Sequence, residues 1–178
     1  MRSSASMIVI GGFAGSGKST LAKNLGTVLS LPVFEIDQLA RSIKDSADFH
    51  GESREAYGIA FDLFFAFAYR HLHNGSSLIL DQNMGHAQTW DNVRKLRDTL
   101  STVAFKIFLL DCPYELCVTR FRARTAHPNL HEVTIENLAD HKYKWDYLQE
   151  HAFPEAIRID ATREPQIVFD EVFGHLQG

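Results

Sequence analysis

MIVIGGFAGSGKST, residues Met7–Thr20, is a short apolar run that breaks into a glycine-rich loop and ends in Lys-Ser-Thr just ahead of a helical pattern. From Gly12 to Ser19 it fits G-x-x-x-x-G-K-[ST], the spacing of a loop that curls around a polyphosphate and aims successive backbone N–H groups inward. Glycines leave the backbone free to approach the anion and to take positive φ. The pattern gives Lys18 the β/γ-phosphates, gives the Ser19 hydroxyl a Mg²⁺ ion, and points the positive end of the following helix at the anion. Gly12, Gly15, Ser16, Gly17, Lys18, Ser19 and Thr20 are therefore the candidate nucleotide-binding set.

Outward from the loop, Met7–Ile10 is the first strand. Leu21, Leu25, Val28 and Leu29 recur with the spacing of one buried helical stripe over Lys18–Leu29. Val33–Ile36 reads as a second buried strand that delivers Asp37 to its C-terminal edge, the edge where open α/β sheets bind ligands. Asp37 equally suits the N-cap of the next helix, Gln38–Ile43. Asp45–Glu55 is polar and reads as a loop or broken helix. Tyr57–His73 is a helix crowded with aromatic residues, and its pattern predicts burial on more than one side. It forms core, or it sets one or two rings against a substrate.

Asn74-Gly75 closes that helix. Ser77–Leu80 is the third strand, ending in Asp81, a carboxylate suited to a nucleotide-bound Mg²⁺ or its water. Thr89–Leu100 is a helix with Trp90, Val93, Leu96 and Leu100 on one stripe, and Ala104–Leu110 is the fourth strand. In the helix Tyr114–Arg124, Arg120 and Arg124 share a face while Arg122 is turned away by about 200°. The pair can grip a polyphosphate, or it pairs with the helix C-terminal dipole. Ala126–Val133 suits a lid, Thr134–His151 a polar helix, Ala156–Ile159 a fifth strand ending at Asp160, and Gln166–Leu176 a closing helix.

Size and composition set bounds on this reading. A chain of 178 residues, 45% of them apolar, suits one α/β domain with a single core. With 18 basic against 22 acidic residues and a formal charge of −4, no clustered basic surface for nucleic acid is advertised. Cys112 and Cys117 lack the partners of a zinc site and read as reduced, partly buried thiols. The histidines show no metal-ligand spacing. The apolar run near the N-terminus is too short for a signal core or membrane span, so a cytoplasmic protein is expected.

GFAGSGKST at Gly12–Thr20, Asp37 after the second strand, LILD at Leu78–Asp81 and R-x-x-x-R at Arg120–Arg124 together resemble the P-loop kinase group. That group includes nucleoside-monophosphate, shikimate and gluconate kinases, chloramphenicol phosphotransferase and polynucleotide 5′-kinases. The resemblance implies a three-layer α/β/α P-loop NTPase fold with a five-stranded parallel sheet of order 2-3-1-4-5. It also implies a substrate-side insertion at about 38–74 and a lid at about 120–135. Nucleoside-monophosphate kinases carry an arginine after the third strand, where this chain has Gln82-Asn83-Met84-Gly85, so a nucleotide monophosphate acceptor fits poorly. What remains is an ATP- and Mg²⁺-dependent kinase for a hydroxyl of a small molecule, with Lys18, Asp37, Arg120 and Arg124 as catalytic candidates and Ser19 and Asp81 as metal ligands. Two other readings are a 5′-hydroxyl kinase of nucleic acid and a nucleotide-dependent regulatory switch.

Overall fold

The structure, a computed structural model, describes residues 5–123 and 137–178. Its strands are β1 (Ser6–Gly12), β2 (Val33–Glu35), β3 (Leu78–Gln82), β4 (Ala104–Asp111) and β5 (Ala156–Asp160). They form one parallel sheet in the order β2-β3-β1-β4-β5, as the resemblance implies. The helices are α1 (Lys18–Leu29), α2 (Ile36–Lys44), α3 (Ser53–His73), α4 (Ala87–Thr99), α5 (Tyr114–Arg122), α6 (Lys142–Glu150) and α7 (Pro165–Gln177).

Side-chain alternation along the central strands makes the three layers. Met7 and Val9 of β1, with Leu78 and Leu80 of β3, face a core closed by α2, α3 and α4. Ile8, Ile10 and Ile79 face the opposite core, closed by α1, α5 and α7. Both faces of the sheet are thus covered, which is why its inner strands read as unbroken apolar runs.

Several expected boundaries move. β2 stops at Glu35 and the chain turns helical at Ile36, so Asp37 lies in the first turn of α2 and neither ends the strand nor caps the helix. Asp81 lies inside β3. α3 begins at Ser53, where Glu52 and Glu55 form a capping box. Its burial follows one stripe, Ala56, Ala60, Phe61, Phe64, Ala68 and Leu72, so the expected burial on several sides does not occur. The expected helix Thr134–His151 is a 3₁₀ turn, Leu138–His141, followed by α6, with residues 134–136 outside the described segments. The expected lid, Ala126–Val133, also lies outside them.

Two contacts fix the connection that follows β3. The Trp90 indole of α4 stacks on Phe153 with centroids 3.8 Å apart, and its Nε1 donates to the Met84 carbonyl at 2.8 Å. α6 closes against Gly85, where a Cβ would sit 2.6 Å from both the Cβ and the carbonyl oxygen of Lys144. Trp90→Phe keeps an aromatic ring against Phe153, but the smaller phenyl leaves a gap and leaves the buried Met84 carbonyl without its donor. It is expected to lower unfolding free energy by about 1–3 kcal/mol, read as a fall in the urea midpoint; an unchanged midpoint would remove this bond from the stability of the connection.

Candidate active site

The loop between β1 and α1 stands at the C-terminal edge of the central strand. Gly15 has φ +88° and Gly17, the N-cap of α1, has φ +99°, conformations that side chains oppose. Gly15 is also fixed by crowding, because a Cβ there would come within 2.1 Å of the Cys117 carbonyl oxygen on α5. Within the loop the Ser16 amide donates to the Phe13 carbonyl at 3.1 Å, and the buried Ser16 hydroxyl has no partner.

Beneath the loop lies Asp81, 4% exposed, flanked in register by Ile10 of β1 and Glu35 of β2. Burial pushes its carboxyl above the usual carboxylate range, against the pull of the Lys18 ammonium and the Ser19 hydroxyl; Glu35 and Asp37 add to the rise. The sequence-predicted residues Lys18, Ser19, Asp37 and Asp81 are therefore gathered at one sheet edge. Oδ1 of Asp81 is buried without a hydrogen-bond partner. One carboxylate with a free oxygen beside a hydroxyl suits Mg²⁺, which takes one or two protein oxygens and completes its shell with waters and phosphate oxygens. The donor set thus fits the ion. No cluster of three or more His, Cys, Asp or Glu groups placed for a metal occurs among the described residues.

The Arg120 guanidinium donates to the Ala161 carbonyl at 2.7 Å and the Thr162 carbonyl at 3.4 Å, at the end of β5. There it walls a cavity of about 390 Å³ beside the loop, with Gly15, Thr20, Arg163 and Pro165 among the other lining residues. Arg124 lies outside the described residues. Cys112 and Cys117 are free and fully buried. The Cys117 thiol, hydrogen-bonded to Cys112, lowers the Cys112 thiol to about 7 with help from Arg120, while the same contact raises Cys117.

Three participants escaped the sequence reading. Glu35, tied to Lys23 at 3.1 Å, is the acid that ends β2, and the rule that singled out Asp37 would have found it with the strand boundary drawn two residues earlier. Gln82, next to Asp81 and buried, donates from Nε2 to the Tyr57 hydroxyl of α3 at 2.6 Å. This bond ties α3 to the acidic edge, and nothing in the spacing of residues 57 and 82 announces it.

Comparison with known proteins places this geometry in context. The family model described as an AAA domain matches residues 7–147. A thymidylate kinase of Acinetobacter baylyi is 34% identical over 98 residues, which is 54% of this chain and 48% of that protein, so the match spans about half of the relative's length. The crystal structure of a sugar kinase from Janibacter sp. HTCC2649 superposes with a TM-score of 0.69 at 19% identity, over 98% of this chain and 95% of that one. A tunicamycin resistance protein of Deinococcus radiodurans gives 0.67 at 19% identity, over 97% and 95%. At these identities the structural likeness establishes the fold, that of the P-loop kinase group. No helix among the described residues is long and apolar enough to cross a membrane.

Because burial raises the Asp81 carboxyl, the folded chain holds this proton to higher pH than the unfolded chain does. Its contribution to stability is complete below the unfolded value of 3.8 and is lost as pH rises through the folded value. Asp81→Asn removes that loss. Without Mg²⁺ or nucleotide, the variant is expected to melt above wild type at neutral pH and to show a flatter stability profile above about pH 4. A variant that melts below wild type across that range would show that the ionised carboxylate is already compensated in place.

Proposed function

The chain belongs to the AAA domain family, and on that premise we propose that it is an ATP-dependent kinase that moves the γ-phosphoryl group to a hydroxyl of a small-molecule acceptor. The observation that carries the reading is the buried, half-satisfied Asp81 beneath a glycine loop that ends in Lys18 and Ser19, with Asp37 beside it on the β2 side. The loop amides and the N-terminus of α1 bind the phosphates, and Lys18 places a positive charge on the β/γ oxygens. Ser19 and Asp81 would hold Mg²⁺, which supplies neutralisation of the charge that develops on those oxygens. The cavity walled by Arg120 suits the nucleobase, against which a planar guanidinium offers a stacking face.

Asp37 takes the acceptor side. As the acceptor oxygen bonds to phosphorus and the bond to the ADP oxygen breaks, the hydroxyl proton passes to the Asp37 carboxylate. Tyr57 and Gln82, joined at the same edge, line the approach from α3. Identity to a thymidylate kinase over 98 residues favours a second reading, a nucleoside monophosphate as acceptor. Against it stands Gln82-Asn83-Met84-Gly85, which puts no cation after β3.

The deciding experiment is ADP release with a panel of sugars, polyols, aminoglycosides and thymidine monophosphate. Stimulation by a sugar, polyol or aminoglycoside supports the first reading and stimulation by the monophosphate the second; slow turnover indifferent to all of them would mark a nucleotide-binding regulatory NTPase. With an acceptor in hand, Lys18→Ala is expected to lower turnover about 100-fold or more. Asp37→Asn should lower it roughly 10²–10⁴-fold while leaving ATP affinity nearly unchanged. Arg120→Ala should weaken ATP binding, whereas Arg122→Ala should not. Loss of ATP binding in the Asp37 variant would instead place that carboxylate with the nucleotide.

A further inference from the structure

The outer side of α3 carries two adjacent rows at four-residue spacing. One is apolar: Ile59, Leu63 and Phe67 are 42%, 52% and 45% exposed. The other is Asp62, Ala66 and Arg70, all exposed. Asp62 and Arg70 take no part in an ion pair among the described residues. Contiguous exposed apolar surface on a 21-residue helix is uncommon without a partner.

These rows are complementary to themselves. An antiparallel twofold sets each four-residue row of one helix against its own copy running the opposite way. Asp62 and Arg70 stand on either side of Ala66, each about 6 Å along the axis at 1.5 Å per residue. A twofold axis through Ala66 sets two copies of α3 antiparallel. It brings Asp62 opposite Arg70 of the partner subunit, and Arg70 opposite the partner's Asp62. The small Ala66 side chain lets the helices approach, and beside it Leu63 meets its own copy while Phe67 lies toward the partner's Ile59.

We propose that this face of α3 is the interface of a twofold homodimer, paired antiparallel about Ala66. The contact is isologous, as a closed dimer requires. Its apolar row and two ion pairs make a contact of modest extent, so a reversible association is expected. The same helix carries Tyr57, bonded to Gln82 beside Asp81, so pairing would steady one wall of the acidic edge in both subunits.

Sedimentation velocity on the full chain across the micromolar range tests the proposal. Wild type is expected to pass from monomer to dimer, and Leu63→Asp to raise the dissociation constant roughly 30-fold or more. Asp62→Arg and Arg70→Asp each set like charges opposite one another and should weaken self-association roughly 10-fold or more. Mixed in equal amounts, those two variants present Arg to Asp at both positions and should form a heterodimer. These positions are exposed, and far-UV circular dichroism checks that each variant keeps its fold. A wild type that stays monomeric, a Leu63→Asp variant that still dimerises as tightly, or a mixture that fails to pair would each overturn the proposal.

Discussion

A carboxylate carried into the interior by a fully buried strand is the constraint from which the functional edge follows. Asp81 is the acidic group that β3 cannot give back to water, and in the absence of a ligand the Lys18 ammonium and Ser19 hydroxyl only partly offset the loss of solvation. Glu35 and Asp37 stand close enough to make the charge less welcome still. Lys23 draws Glu35 into an ion pair, so the neighbouring strand's own acid is held from outside the cluster. The unpaired oxygen of Asp81 is thus a place where binding a cation repairs a cost that folding imposed.

α5 joins this edge to the far side of the sheet. The carbonyl of Cys117 supports Gly15 from below, and one turn later Arg120 fastens the helix to the end of β5 through the Ala161 and Thr162 carbonyls. Trp145 of α6 adds a bond to the Cys112 carbonyl at 2.9 Å, just before α5 begins. The phosphate loop and the cavity wall therefore share one rigid support, and a shift of α5 would be felt at both.

The strand pattern, the glycine loop and the order of helices were legible because each rests on local spacing: apolar runs bounded by glycine, and stripes such as Trp90, Val93 and Leu96. Where the reading erred, the missing information was tertiary. Nothing local says that the backbone after Glu35 turns helical at once, so Asp37 was read as the end of a strand. The partners that anchor Arg120, the Ala161 and Thr162 carbonyls, lie some forty residues further along the chain, where helical spacing says nothing of them. The aromatic density of α3 suggests burial on more than one side, but apolar character states only what a side chain gains from leaving water, and Ile59, Leu63 and Phe67 stay about half exposed on the outer face.

The sheet order also governs when the phosphate loop can exist during synthesis. β1 is the central strand, yet its partners are β3 and β4, so Ser6 must wait for Ala104 and Met7 for Leu78 before its backbone groups are paired. Parallel pairings between such distant segments close late and slowly. Until β3 has left the ribosome, the apolar run at Met7–Ile10 has no strand to join, and until β4 follows, one of its two edges stays unpaired beside the glycine loop. The nascent chain therefore carries its glycine loop on an incompletely paired strand until β4 has emerged, and the same apolar run is its exposed segment over that interval.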